Sequence, residues 1–279
     1  MLKERKIAIM MLIHRDTEQE RRLINHLSKD FDVYVHIDKR TSVEIENAEG
    51  VFVYKKYKTY WGSFNQIMAT LFLLKKAFEN RYERYILISG QDLPITTNEK
   101  IKMFFENNNK EYLGFVKIPN PVGWPDLDRI IGYQINCFNR KSLLFKILKK
   151  TVSSVTEKIM PRKLDYDFYG GSSWTNYTDG CVKKILEYLE NNPAYIKRFK
   201  WTYCADEIFY HTIINQLDGI ELVNATLRYA DWSDSSERPK TLKKEDYEKI
   251  MSSDRLFARK FDLNVDNDII EMIYKDIEK

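Results

Sequence analysis

Cysteine is scarce in this sequence. Only Cys137, Cys181 and Cys204 occur among 279 residues, with no CxxC pair. An odd number at wide spacing argues against a disulfide framework or a zinc ribbon and suits a reducing compartment. Glycine (10) and proline (7) are also few, which excludes collagen-like and low-complexity chains. No apolar run approaches a membrane span. The longest early run, Ile7–Ile13, is followed at once by His14, Arg15 and Asp16. Charge there, in place of small residues, argues against a cleaved leader. Walker A, GxGxxG, HExxH and catalytic-triad signatures are all absent. An excess of one charge is missing too: 45 Lys and Arg against 41 Asp and Glu leave a net charge of +4, short of a dedicated nucleic-acid binder. The expectation is a cytoplasmic protein without nucleic-acid partners, with a peripheral contact at the inner face of the membrane through its basic residues.

What is present describes a folded α/β protein. Hydrophobic residues make up 43% and charged residues 31%, a balance that excludes disorder. Aromatics are abundant, with 5 Trp, 18 Tyr and 15 Phe. Short apolar runs alternate with amphipathic stretches. Ile7–Ile13, Val33–Ile37, Tyr85–Ser89 and Tyr112–Ile118 read as strands. Thr17–Leu27, Phe64–Phe78 and Thr97–Phe105 read as helices, opened by the capping box Thr17-x-x-Glu20, by Ser63 and by the capping box Thr96-x-x-Glu99. Residues 119–127 form a turn-rich loop, and 140–163 a basic helix and loop. Helices over Thr178–Asn191, Asp206–Gln216 and Leu242–Met251 follow, with strands near Glu221–Val223, Leu227–Ala230 and Leu256–Phe261 and a last helix at the C-terminus. No linker interrupts the chain. Residues 1–279 are expected to form one domain, a nucleotide-type half to about residue 118 and an acceptor half after it.

Several constellations could carry chemistry. Val35-His36-Ile37-Asp38 ends a strand on a carboxylate, and in open α/β sheets such ends line the ligand crevice. Asp38 is either a ligand acceptor or a polar strand end. Ser89-Gly90-Gln91-Asp92 ends another strand; Asp92 points into the same crevice or caps a turn. Asp206-Glu207 stands at a helix start, where Asp206 as N-cap and Glu207 in the first turn would satisfy the helix dipole, and a carboxylate kept ionised there also suits a general base. Arg238, Lys240, Arg255, Arg259 and Lys260 form a C-terminal basic group. On a strand, Arg259 and Lys260 point to opposite faces, so one turns inward, and a diphosphate is a natural partner. The Asp-x-Asp pairs at 126/128, 165/167 and 266/268 follow no convincing buried strand, so no metal is expected.

In order, Val35–Asp38, Trp61–Ile67, Leu87–Ile95, Gly171–Trp174, Asp206-Glu207, Leu227–Trp232 and Leu256–Asp262 resemble the core-2/I-branching β-1,6-N-acetylglucosaminyltransferase family, glycosyltransferase family 14, which includes the peptide O-xylosyltransferases. The likeness runs over about residues 7–262. It implies a GT-A type α/β fold, with a Rossmann-like nucleotide-binding half fused to an acceptor-binding half. It implies an inverting, metal-independent transferase with a UDP-sugar donor and no cofactor. Carried over by position, Glu207 matches the catalytic base, Lys260 the phosphate-binding lysine and Asp38 the aspartate near the nucleotide. Trp232 matches an acceptor-site tryptophan, and a second phosphate cation falls at Arg238 or Lys240. Asp92 and Arg259 complete the expected donor site, and Trp174, Trp124 and Arg129 the acceptor site. The membrane anchor, stem and disulfides of the animal enzymes are not found here, which fits a bacterial-type member.

The mechanism this implies is a single in-line displacement. Glu207 takes the acceptor's hydroxyl proton, the oxygen attacks the anomeric carbon, and cations stabilise the departing UDP. N-acetylglucosamine or xylose is the expected sugar, and a glycan, lipid-linked in one version, the acceptor, in cell-surface polysaccharide or glycoconjugate synthesis. A glycoside hydrolase and a noncatalytic glycan- or nucleotide-binding module are the alternatives.

Overall fold

The computed structural model describes residues 5–15, 18–120, 124–125, 127–134, 143–234 and 238–279, and of 143–150 the backbone alone. Thr17 of the first capping box, Cys137, and Pro121, Gly123 and Asp126 of the turn-rich loop lie outside the described residues.

The first half runs β1 (Ile7–Ile13), α1 (Glu18–Leu27), β2 (Asp32–Ile37), β3 (Val51–Tyr54), α2 (Phe64–Phe78), β4 (Arg84–Ser89), β5 (Asp92–Pro94) and α3 (Asn98–Phe105). Then come β6 (Glu111–Tyr112), β7 (Phe115–Lys117), α4 (Asp128–Ile131), α5 (Leu143–Ile159), β8 (Tyr169–Gly171), β9 (Asn176–Thr178), α6 (Asp179–Asn191) and α7 (Pro193–Arg198). A 3-10 turn (Ala205–Glu207) leads into α8 (Phe209–Ile214). The chain closes with β10 (Leu222–Val223), β11 (Arg228–Ala230), α9 (Tyr247–Met251), β12 (Phe257–Arg259) and α10 (Asp268–Ile277).

The main sheet has the order β3-β2-β1-β4-β9; the first four strands are parallel and β9 is antiparallel. Successive residues of β1 face opposite sides of the sheet. Ile7, Ile9, Met11 and Ile13 pack with α1, α3 and α10 residues such as Leu23, Ile101 and Ile273. Ala8 and Met10 pack with α2, α6 and α8 residues such as Leu74, Ile185 and Phe209. Helices on both faces explain why these strands read as continuous apolar runs. The mixed α/β architecture with a parallel-stranded sheet is the one the resemblance implies. A smaller sheet, β11-β12-β5, places Arg259 opposite Asp92 and Ala230.

Some local expectations need correction. The strand β3 was not expected; it extends the sheet edge by pairing with β2. The single strand over Tyr112–Ile118 is two strands, because β6 pairs with β10 whereas β7 pairs with β8. Thr97, not Thr96, caps α3, its Oγ1 accepting from the Lys100 amide. The Ser63 side chain does not cap α2 but accepts from the Tyr60 amide. The helix over Asp206–Gln216 is a 3-10 turn, entered from Cys204 in a left-handed conformation (φ 45°), and the shorter α8; the break between them falls at Ile208, whose φ of −125° is not helical.

Candidate active site

Glu207 lies in the 3-10 turn ahead of α8, at the meeting point of three segments distant in sequence. Its Oε2 accepts from Arg129 Nη1 at 2.7 Å. Its Oε1 has no hydrogen-bond partner among the described residues, and the side chain is 23% exposed. Burial raises the Glu207 pKa and the neighbouring Asp206 raises it further, while Arg129 lowers it; the result is about 7. A carboxyl poised near neutrality, with one oxygen clamped and the other open, is suited to accept a proton.

Asp206 is not a helix cap. Its Oδ2 accepts from Gln66 Nε2 at 2.9 Å and from Ser173 Oγ at 2.7 Å. Gln66 belongs to α2, and its Oε1 receives the Gly62 amide. The Gly62 carbonyl in turn receives the Cys204 amide at 3.0 Å. Gly62 has φ +67°, a left-handed conformation that glycine adopts without strain. Cys204 has no such freedom, so strain sits one residue before the Asp206 turn and is held there by the Gly62 carbonyl. Thus Trp61–Ile67 and Gly171–Trp174 both converge on Asp206-Glu207.

Ser173 leads to a second cluster. The adjoining Trp174 stacks under Arg259, whose guanidinium carbon is 4.2 Å from the ring centroid, with Arg228 at 5.3 Å. Lys260 follows Arg259 and stands among cations. Burial lowers its pKa first, then Arg238, Arg259 and Arg15, against the raising effect of Asp262. Neither Lys260 nor Arg238 has an ion pair with any described residue. Gln19 anchors this region to the sheet. Its Nε2 donates to the Gly90 and Phe261 carbonyls, and its Oε1 accepts from the Leu263 amide. Gly90 follows the carboxyl end of β4, beside that of β1, where the strand order reverses. That is where open α/β sheets bind ligands. Closely placed cations with little counter-charge are suited to a diphosphate.

Other expected site residues are committed within the protein. The Asp38 carboxylate accepts from the Arg40 amide and guanidinium and from the Thr59 amide. Burial opposes its charge, but these donors prevail and its pKa falls. Asp38 thereby shapes the loop leading to α2. Asp92 is fully buried, accepting from the Ser89 amide and hydroxyl and from Arg228 Nη1 at 2.6 Å. Arg259 Nη1 stands 3.8 Å from the same carboxylate. Lys240 pairs with Asp246 at 2.8 Å, so of the two candidates for the second phosphate cation Arg238 is the one without an ion pair among the described residues. Trp232 and Trp124 are exposed, at 52% and 41%. Arg129, expected at the acceptor, is the partner of Glu207 itself.

Sequence reading missed Arg228, Gln66, Ser173 and Arg40. The first three lie inside the quoted motifs, but nothing in their spacing shows that they bind Asp92 and Asp206. Of the described Asp-x-Asp aspartates, Asp165 pairs with Arg198, Asp167 with Lys117 and Asp268 with Lys244, and Asp266 accepts from the Lys244 and Ile269 amides. Among the described residues no three His, Cys, Asp or Glu side chains gather as metal ligands would. Cys181 and Cys204 are free and buried.

Comparison with known proteins gives the family. The model of the Core-2/I-Branching enzyme family matches residues 7–254. The xylosyltransferase sqv-6 of Caenorhabditis elegans is 22% identical over 95% of this chain and 36% of its own length. The beta-glucuronosyltransferase GlcAT14B of Arabidopsis thaliana is 22% identical over 71% of this chain and 44% of its own. The chain therefore spans between about a third and a half of the length of these curated relatives.

Proposed function

This chain belongs to the Core-2/I-branching enzyme family, and from that premise we propose that it is an inverting glycosyltransferase carrying a sugar from a UDP-sugar to a hydroxyl of a glycan acceptor. The observation that carries the reading is Glu207, near neutral pKa and open at Oε1, tied through Ser173-Trp174 to the cations at the carboxyl end of the sheet. Oε1 takes the proton of the acceptor hydroxyl as its oxygen bonds to the anomeric carbon. The bond from that carbon to the diphosphate oxygen breaks, and UDP leaves with the bonding pair. Lys260 and Arg238 stabilise the charge that develops there, the role a metal ion would otherwise fill. One base serves a single inverting displacement. Asp38, Asp92, Arg259 and Trp174 support the donor site from behind, and Trp232 and Trp124 offer exposed ring faces to the acceptor sugar.

The names of the relatives suggest xylose and glucuronic acid as the sugars to try first, and the family resemblance adds N-acetylglucosamine. UDP-xylose, UDP-glucuronic acid and UDP-N-acetylglucosamine form the panel, read by thermal shift and by slow release of UDP. We expect stabilisation by UDP and by one of these sugars. The Glu207→Gln variant is expected to keep UDP binding and lose about 10²–10⁴-fold in transfer. Undiminished turnover by that variant would remove Glu207 from the mechanism. Sugar release from a glycan without any nucleotide would point to a hydrolase.

A further inference from the structure

The described part of α5, residues 151–159, meets the rest of the protein largely through polar side chains. The Thr156 hydroxyl accepts from the Tyr133 amide at 3.0 Å, Ser153 donates to Glu157 at 2.6 Å, and Glu157 presses against Gly132. Val152 is half-buried, whereas the apolar side chains that follow it are exposed. Val155, Ile159 and Met160 on the helix and its end, and Leu164 just beyond, are four of the eleven large hydrophobic residues exposed among the described residues. Ile159 is 73% and Met160 63% exposed. Val155 and Ile159 are one helical turn apart and so share a face.

Charge distinguishes the same segment from the rest of the chain. Residues 140–163 carry eight Lys and Arg against the single Glu157, a net charge of +7, within a chain whose total is +4. The remainder is therefore net negative, and the positive excess falls within this segment of the sequence. Lys158 and Lys163 flank the exposed apolar side chains and are exposed too. Exposed apolar side chains flanked by cations, in a strongly basic segment, suit a surface that rests on an anionic bilayer.

We propose that α5 and the loop to Leu164 form a docking surface for anionic phospholipid. Val155, Ile159, Met160 and Leu164 enter the headgroup boundary, and Lys158 and Lys163 meet lipid phosphates. The surface is rigidly joined to the candidate active site. Arg162 donates to the carbonyls of Arg129 and Gly132, and its amide to that of Ile131, so the segment is fastened to the turn that carries Arg129. A bilayer bound at α5 would stand next to the partner of Glu207. On the transferase reading, this suits an acceptor held in that bilayer.

The test is co-sedimentation of the whole chain with phosphatidylcholine vesicles, with and without phosphatidylglycerol, in the absence of any sugar. Its outcome is thus separate from that of the transferase assay. Binding is expected to the phosphatidylglycerol vesicles only and to fall with added salt. Each exposed lysine removed should weaken partitioning about fivefold. Lys158→Glu with Lys163→Glu, and separately Ile159→Asp with Met160→Asp, are expected to abolish it while leaving the circular dichroism unchanged. Equal partitioning on both vesicle types, no binding, or binding unaffected by either pair would overturn the proposal. A dimer in sedimentation equilibrium that Ile159→Asp dissociates would overturn it too, since a second copy would then cover the surface.

Discussion

At the residue scale, two neighbours act on the Glu207 carboxyl in opposite directions. Arg129 lowers its pKa and Asp206 raises it, both against a background of burial that raises it. A general base works ionised, so transfer should rise with pH along a limb centred at about 7 and level off above it. Arg129→Met removes the stabilising cation and should move the limb to higher pH. Asp206→Asn removes a like charge while keeping an acceptor for Gln66 and Ser173, and should move the limb to lower pH. A pH profile of kcat/KM for the three proteins checks this; shifts in the same direction would contradict it. The same comparison separates tuning from simple damage, which lowers the plateau without moving the limb.

At the scale of elements, the donor cations divide into two groups. Arg238 and Lys260 have no counter-ion among the described residues, whereas Lys240 is committed to Asp246. Lys260→Ala and Arg238→Ala should each weaken UDP binding about tenfold, the loss of a hydrogen bond to a charged group. Lys240→Ala should leave the UDP Kd nearly unchanged; calorimetry distinguishes the two outcomes. The strand pair β7-β8 has its own requirement. A Cβ at Gly171 would lie 1.9 Å from the Gly114 carbonyl oxygen, on the backbone and so unable to yield. Gly171→Ala should cost about 1–3 kcal/mol by overpacking, visible as a lower Tm. Because Ser173 lies two residues on, activity should fall further than stability alone explains.

For the whole molecule, the buried Asp92–Arg228 pair joins the small sheet to the carboxyl end of β4. Arg228 also donates to the Leu87 carbonyl, and burial lowers its pKa to about 10 while Asp92 opposes the fall. Removing one partner leaves a buried charge uncompensated. Arg228→Ala should therefore cost about 3–5 kcal/mol, measured by urea denaturation. If Lys260 and Arg238 serve the diphosphate, transfer should also survive EDTA. Loss of activity that Mn²⁺ restores would show that a metal does this work instead.

How much of this was legible in the sequence depends on the range of the interaction. The positions of β1, β2, β4 and α2 follow from local pattern, since these strands are buried on both faces and read as apolar runs and α2 has a continuous apolar stripe; the short β3 does not. The family likeness came from ordered motifs, and with it Glu207 and Lys260. The sequence alone also set the charge of 140–163 and the scarcity of cysteine. Only the tertiary structure decided what each charge faces. Asp38, Asp92 and Lys240 look like Glu207 and Lys260 in a sequence, being polar residues at element ends. Folding gave the first three partners inside the protein: Asp38 and Lys240 at short separation, Asp92 from 136 residues away. It left Glu207 Oε1, Lys260 and Arg238 without such partners among the described residues. Periodicity records local geometry, whereas a side chain's availability depends on which distant donors the chain closure brings to it, and closure is a property of the whole fold.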